Sequence, residues 1–201
     1  MKRHLVPFAA LLGGWLLATP AIAMPLDEDE LVEPYGMAFT VGGSFSDFVR
    51  EHAQNFTQPG GGWEARYTVG TRTYLAGEAA YTASANQLDT LGLAQDAVLL
   101  GNGVEASLRA NLTTTQVQPY LLAGIGWRHY EVTNTNRNTS DVAGDDDAMT
   151  LPVTAGVAYK YERFIGDLRA NYRPSFFDDI LAGDDVALDS ASVGMNLGFE
   201  F

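Results

Sequence analysis

Residues 191 to 201 read Ala191-Ser192-Val193-Gly194-Met195-Asn196-Leu197-Gly198-Phe199-Glu200-Phe201. Successive side chains of a strand point to opposite faces. Ala191, Val193, Met195, Leu197, Phe199 and Phe201 therefore share one face, and Ser192, Gly194, Asn196, Gly198 and Glu200 the other. The pattern predicts a strand with one apolar face, about as long as a tilted bilayer crossing requires, roughly 9 to 11 residues.

The same split recurs seven times upstream. Tyr35 to Phe45 sets Tyr35, Met37, Phe39, Val41 and Phe45 against Gly36, Ala38, Thr40, Gly42 and Ser44. Residues 63 to 69 and 73 to 82 follow, with Trp63, Tyr67, Leu75 and Tyr81 on their apolar faces. Residues 100 to 112 alternate with Asn102 as the one polar exception, and 117 to 130 with Leu122 as an apolar one. Residues 151 to 161 carry Val153, Val157, Tyr159 and Tyr161 on one face, and the seventh strand carries Phe164, Leu168 and Tyr172. Eight strands result. Long connections (46 to 62, 83 to 99, 131 to 150, 174 to 189) alternate with short ones (70 to 72, 113 to 116, 162 to 163), so they fall on opposite ends of the sheet.

Once each phase is set by its apolar residues, Glu64, Arg66, Glu78, Glu105, Arg109, Arg128, Lys160, Asp167, Arg169, Arg173 and Glu200 all lie on the other face. None lies on the apolar face. A soluble lipocalin-like barrel would also alternate. Three features favour a membrane barrel: aromatics near the ends of the apolar face, strands of crossing length, and six bases balanced against five acids on the polar face. A confined lumen needs that balance, because unpaired buried charge costs several kcal/mol. The expected fold is all-β, an eight-stranded antiparallel up-and-down transmembrane β-barrel over residues 35–201.

The start of the chain has the parts of a signal peptide over residues 1–23: Lys2 and Arg3, an apolar run from Leu5 to Leu17, and Ala21-Ile22-Ala23. Residues 24–34, with Asp27-Glu28-Asp29-Glu30, read as an acidic periplasmic lead-in. Without Lys2 and Arg3 the remaining chain has 10 basic and 25 acidic residues, which argues against nucleic acid as a partner. There is no cysteine, so disulfides contribute nothing. After residue 23 no apolar stretch reaches helix-spanning length, which leaves a closed barrel as the way to cross a membrane.

Strand count, loop asymmetry, the closing Leu197-Gly198-Phe199-Glu200-Phe201 and the stretch Pro119 to Trp127 together resemble the outer-membrane protein A and X type of eight-stranded barrel. The resemblance covers the barrel domain and no peptidoglycan-binding domain. It implies a Gram-negative outer membrane, both termini periplasmic and porin-like loops at the cell surface. It also implies contact with outer-membrane lipid and lipopolysaccharide, and an assembly signal at Phe199 and Phe201 for the barrel-assembly machinery.

An eight-stranded barrel is filled by its own side chains. Glu64, Arg66, Glu78, Glu105, Arg109, Lys160, Asp167 and Arg169 are expected to form a charge network in the lumen. Counting from the short turns sets Glu64 beside Glu78, with Glu105 and Arg169 at similar depth. No cofactor is implied. The expected function is a structural or surface-interaction role with a plugged lumen. The alternative is a narrow ion or small-solute channel, and the third reading an outer-leaflet lipid A-modifying enzyme. That enzyme would need Ser44 or Ser46 near His129 or His52, and the His-x-Ser pairing of lipid A deacylase barrels is absent because Tyr130 and Glu131 follow His129. Asp145, Asp146, Asp147, Asp184 and Asp185 are weak candidates for a divalent cation, without the spacing of a calcium loop.

Overall fold

The computed structural model describes residues 35–55, 57–89, 97–134, 144–176 and 188–201. The signal-peptide and lead-in segments, Asp184 and Asp185 lie outside them, as does the side chain of His52. In chain order the elements are β1 (Met37–Phe48), α1 (Glu51–Gln54), β2 (Gly60–Val69), β3 (Leu75–Gln87), β4 (Val98–Asn111) and β5 (Val117–Thr133). They continue as β6 (Asp145–Thr150), β7 (Val153–Tyr161), β8 (Phe164–Arg173), β9 (Ser175–Phe176) and β10 (Ser190–Glu200).

These segments make eight staves, because β6 with β7 and β8 with β9 are each one stave broken at a proline. Pro152 and Pro174 have no N–H to give the ladder. Their carbonyls still take part: Gly124 N–H donates to Pro152 O at 3.0 Å and Leu151 N–H to Pro174 O at 3.1 Å.

Every neighbouring pair is antiparallel, and the last strand returns to the first, from Ala38 opposite Glu200 to Phe48 opposite Ser190. The β4–β5 pairing completes the ring. Crossing from partner to partner, Met37 leads through Val69, Gly77, Leu108, Ala123, Val153, Tyr172 and Ala191 to Asp47. One circuit thus climbs β1 from Met37 to Asp47, a stagger of about ten residues over eight staves. With a rise of about 3.3 Å per residue and about 4.8 Å between strands, that stagger corresponds to a tilt of about 40° and a backbone radius of about 8 Å.

The faces divide as the alternation requires. Outward side chains such as Phe39, Trp63, Leu108, Ile125, Leu168, Met195 and Leu197 are exposed, while Glu64, Arg66, Glu78, Asp167 and Arg169 inside are buried. Aromatic side chains form two outer bands. Phe45, Trp63, Tyr81 and Trp127 ring the long-loop end, and Phe39, Tyr159, Tyr161, Phe164 and Phe199 the short-turn end. A surface with aliphatic residues between aromatic belts is the pattern of a barrel whose solvent is hydrocarbon.

Two buried apolar clusters complete the inside. Phe48, Ala53, Leu88, Ala97, Leu99, Tyr130, Ala148 and Leu188 cover the long-loop end, and Ala38, Tyr120, Leu122, Ala158 and Ile165 line the other half. Leu122, the exception in the fifth strand's alternation, belongs to the second.

Three expectations are corrected. The strands run farther at the long-loop end than the alternation indicates: β1 to Phe48, β3 to Gln87, β5 to Thr133, with β2 from Gly60 and β4 from Val98. Above the apolar belt the outer face leaves hydrocarbon and turns polar, so hydropathy loses its period while the ladder continues. Asp145, Asp146 and Asp147 therefore stand on a strand, opposite Glu131, Tyr130 and His129. Finally, Glu64 pairs with Thr82 and Glu78 with Thr68, so the two glutamates are not side by side. The β2–β3 turn is wider than counted, since Gly70 and Thr71 N–H donate to Gly36 O and Arg72 N–H to Tyr35 O. Gly70, at φ 95°, makes the left-handed step that this turn needs.

Leu108→Arg and Leu168→Arg place a cation on the outer face midway between the aromatic bands. Each is expected to destabilise the barrel in phospholipid vesicles by about 2–4 kcal/mol, read from urea unfolding. Thr114→Arg, in a short turn, is expected to change it by less than about 0.5 kcal/mol.

Candidate functional site

Nine charged side chains crowd the lumen, four acids (Glu64, Glu78, Glu105, Asp167) and five arginines (Arg66, Arg109, Arg128, Arg169, Arg173), all buried. Strand alternation aims them inward, and the narrow ring brings opposite walls within reach of one another. Arg66 on β2 bridges two acids, with Nη1 2.7 Å from Glu78 Oε1 and Nη2 2.6 Å from Glu64 Oε2. From across the barrel, Arg169 places Nη1 2.9 Å from the same Glu78 oxygen and Nε 2.5 Å from Asp167 Oδ1. Glu78 is thereby shared by arginines of two walls. Thr68 Oγ1 donates to its other oxygen at 3.2 Å, and Asn196 Nδ2 to Glu64 Oε1 at 2.7 Å.

Arg109 stands differently. Its guanidinium lies 3.6 Å above the Tyr120 ring, its Nε donates to Asn111 Oδ1 at 2.7 Å, and Tyr120 OH donates to Asp167 Oδ1 at 3.1 Å. Cation–π contact of this kind suits a desolvated arginine. The Tyr120 ring needs room at the wall, and Gly156 opposite supplies it: a Cβ there would lie 2.5 Å from Tyr120 Cζ. Glu105 is taken by Arg173, Nε to Oε1 at 2.6 Å, rather than by Arg169.

Lys160 lies outside this cluster. Its ammonium donates to Thr71 O at 2.5 Å and stands 3.3 Å from Glu200 Oε1 at the short-turn end, where Thr71 Oγ1 and Arg72 also hold Glu200. Between the two groups is a cavity with room for roughly one water, lined by Thr40, Thr68, Lys160, Arg109, Asp167 and Arg169. Asp167 Oδ2 at this cavity, 3.9 Å from Arg109 Nη1, and both amide atoms of Gln118 on β5 are buried without a hydrogen-bond partner among the described residues. At the long-loop end Asp189 ties the mouth, accepting from Arg50 Nε at 2.8 Å, Tyr172 OH at 3.1 Å and Ser175 N–H at 2.9 Å.

Arg173, Tyr120 and Asn196 complete the network without having been assigned to it from sequence. Their inward phase was the available signal, but phase alone does not say which wall each side chain reaches.

The other candidates do not assemble. Adjacent residues of a strand diverge, so Asp145 and Asp147 share the outer face and Asp146 takes the other. The described residues hold no group of three metal-ligating side chains. His129 Nδ1 is 2.8 Å from Asp147 Oδ1 on the outer surface, whereas Ser44 and Ser46 lie on the inner face of β1, across the ring from β5. Phe199 and Phe201 are exposed, Phe199 in ring contact with Phe164 at 5.0 Å and Phe201 with Tyr67 at 6.4 Å.

Arg169→Leu, which leaves Arg109, at 3.9 Å, as the cation nearest Asp167 and Arg66 as the cation at hydrogen-bond distance from Glu78, is expected to cost about 3–5 kcal/mol by urea unfolding in vesicles. Adding Glu78→Gln to it is expected to cost less than the two single changes together, and additivity would show that the pair is not coupled.

No family model matches the sequence, nor does any curated protein. Solved structures do match. Ail, the attachment invasion locus protein of Yersinia pestis, superposes with a TM-score of 0.56 at 12% identity over 83% of this chain and 99% of that one. Its complex with the heparin analogue sucrose octasulfate gives 0.56 at 14% identity, over the same shares of the two chains. Neisserial surface protein A gives 0.55 at 16% identity over 82% of this chain and 95% of that one. In fold, the chain is similar to the small eight-stranded outer-membrane β-barrels.

Proposed function

We propose that this chain is an integral outer-membrane β-barrel of a Gram-negative bacterium, with a structural or surface-contact role and a lumen plugged by its own side chains. The observation that carries the reading is the closed ring with lipid-facing apolar residues outside and paired charges, capped by apolar side chains, inside. A lumen so filled leaves the loops and the rim as the surfaces that meet partners. The likeness to proteins described as an attachment protein and a surface protein supports the same emphasis.

In this reading the short turns and both chain termini are periplasmic. The exposed Phe199 and Phe201 serve the barrel-assembly machinery, and lipopolysaccharide and outer-membrane lipid surround the belt. A narrow channel is the second reading, favoured by the cavity beside Asp167 and the unpartnered Gln118. The apolar cluster at the long-loop end opposes it. The pairing of His129 with Asp147 away from Ser44 and Ser46 weakens the enzymatic reading.

In planar bilayers the folded protein is expected to give no steady conductance steps, and Glu78→Gln is expected not to create them. Ohmic steps from the unaltered protein would replace the plug with a channel. Unboiled samples are expected to migrate faster than boiled ones, and protease added to intact cells to cut only the long loops. An unshifted, uniformly digested protein would end the membrane reading.

A further inference from the structure

The outer faces of the described strands carry no Lys or Arg, and below the long-loop rim they are almost wholly apolar. Three polar side chains break that surface side by side. Asn102 of β4 pairs with His129 of β5, which pairs with Asp147 of β6. They sit just beyond the aromatic band of Trp63, Tyr81 and Trp127, where an embedded barrel meets lipid headgroups rather than acyl chains.

Their internal bonds leave a defined remainder. Tyr81 OH donates to Asn102 Oδ1 at 3.1 Å, so the Asn102 amide nitrogen stays available to donate. His129 Nδ1 is 2.8 Å from Asp147 Oδ1; in the neutral imidazole this contact places the proton on Nδ1 and leaves Nε2 as an acceptor. The imidazole is stacked on the Trp127 indole, 6.2 Å between centroids at 20°, which fixes its plane. A donor and an acceptor thus stand next to each other, beside aromatic rings in mutual contact (Trp63 and Tyr81, 5.3 Å).

Adjacent donor and acceptor groups fit a hydroxyl, which is both. They do not fit a bare phosphate, which takes cations or several donors. Here the neighbours on the same face are Asp147, Glu131 and Asp145, and no cation stands on the outer faces of the described strands. We infer that the outer rim of β4, β5 and β6 binds a sugar of an outer-leaflet glycolipid, with Asn102 and His129 hydrogen-bonding its hydroxyls, Asp147 orienting the imidazole and Trp127 bordering the ring. The glycolipid, rather than a free saccharide, is the occupant because the site continues directly from the lipid-facing belt. The inference rests on the outer-membrane placement proposed above.

The test titrates the folded full-length chain, in uncharged detergent micelles, with rough-type lipopolysaccharide, its released oligosaccharide and phosphatidylglycerol. Lipopolysaccharide is expected to bind at least about tenfold more tightly than either of the others. Asn102→Leu and His129→Leu are each expected to weaken it about fivefold, the worth of one hydrogen bond, and Leu168→Ala to leave it unchanged. Asn102→Asp and His129→Gln serve as the second pair if the leucine variants lose the electrophoretic shift of the folded barrel. The inference is overturned if both substitutions leave lipopolysaccharide affinity within twofold, if phosphatidylglycerol competes equally, or if the free oligosaccharide binds as well as the intact glycolipid. Such a failure leaves the heat-dependent shift and the protease pattern intact, whereas failure of the membrane reading abolishes those.

Discussion

The structure depends on the seam between its first and last strands. In hydrocarbon, an unpaired backbone N–H or C=O has no water to turn to and costs several kcal/mol. The hydrogen-bonded ring therefore has to close. β10 runs along β1 from Ala38–Glu200 to Phe48–Ser190 and leaves no strand edge in the belt. The stagger that closure imposes sets tilt and radius together, and the radius determines what the lumen can contain.

A ring this narrow admits side chains from all walls but little water, so charge placed inside has to be answered by charge. Arginine suits that demand because its planar fork serves two acids at once, as Arg66 does with Glu64 and Glu78 and Arg169 with Glu78 and Asp167. The pairs join β2 to β3 and β3 to the opposite β8, so they brace the ring across its diameter. Gly156 and Tyr120 show the same economy of space: a missing side chain on one stave lets a ring lie flat on the next, under the guanidinium of Arg109.

Much of this was legible in the sequence, and the reason is the period of two. Phase alone separated every lumen charge from every lipid-facing side chain, because hydrocarbon tolerates few exceptions on the outer face. The same signal could not mark the upper ends of the strands. At Asp145 to Asp147 and at Asn86 and Gln87 both faces carry polar side chains, and alternation carries no hydropathy contrast. Register was lost by a turn: the bonds from Gly70, Thr71 and Arg72 back to Gly36 and Tyr35 widen it, which moved Glu78 away from Glu64. Partner choice across the lumen was out of reach for a different reason. That Arg173 rather than Arg169 takes Glu105, and that Lys160 drops to Glu200, follows from the stagger of the closed ring, to which no single strand testifies.

Pro152 and Pro174 stand on adjacent staves at nearly the same level, and each withholds one rung from the ladder. The pairing above them, β6 with β5 and β9, is joined to the belt below by few backbone bonds on that side. Opening on that side can therefore stop at the prolines instead of travelling down β6 and β9, while β5 runs unbroken past that level. The rim on that side can then accept insertions and deletions with little penalty to the rest. The long-loop rim is free to diverge at a rate that Arg66 and Arg169, each holding two acids, are not.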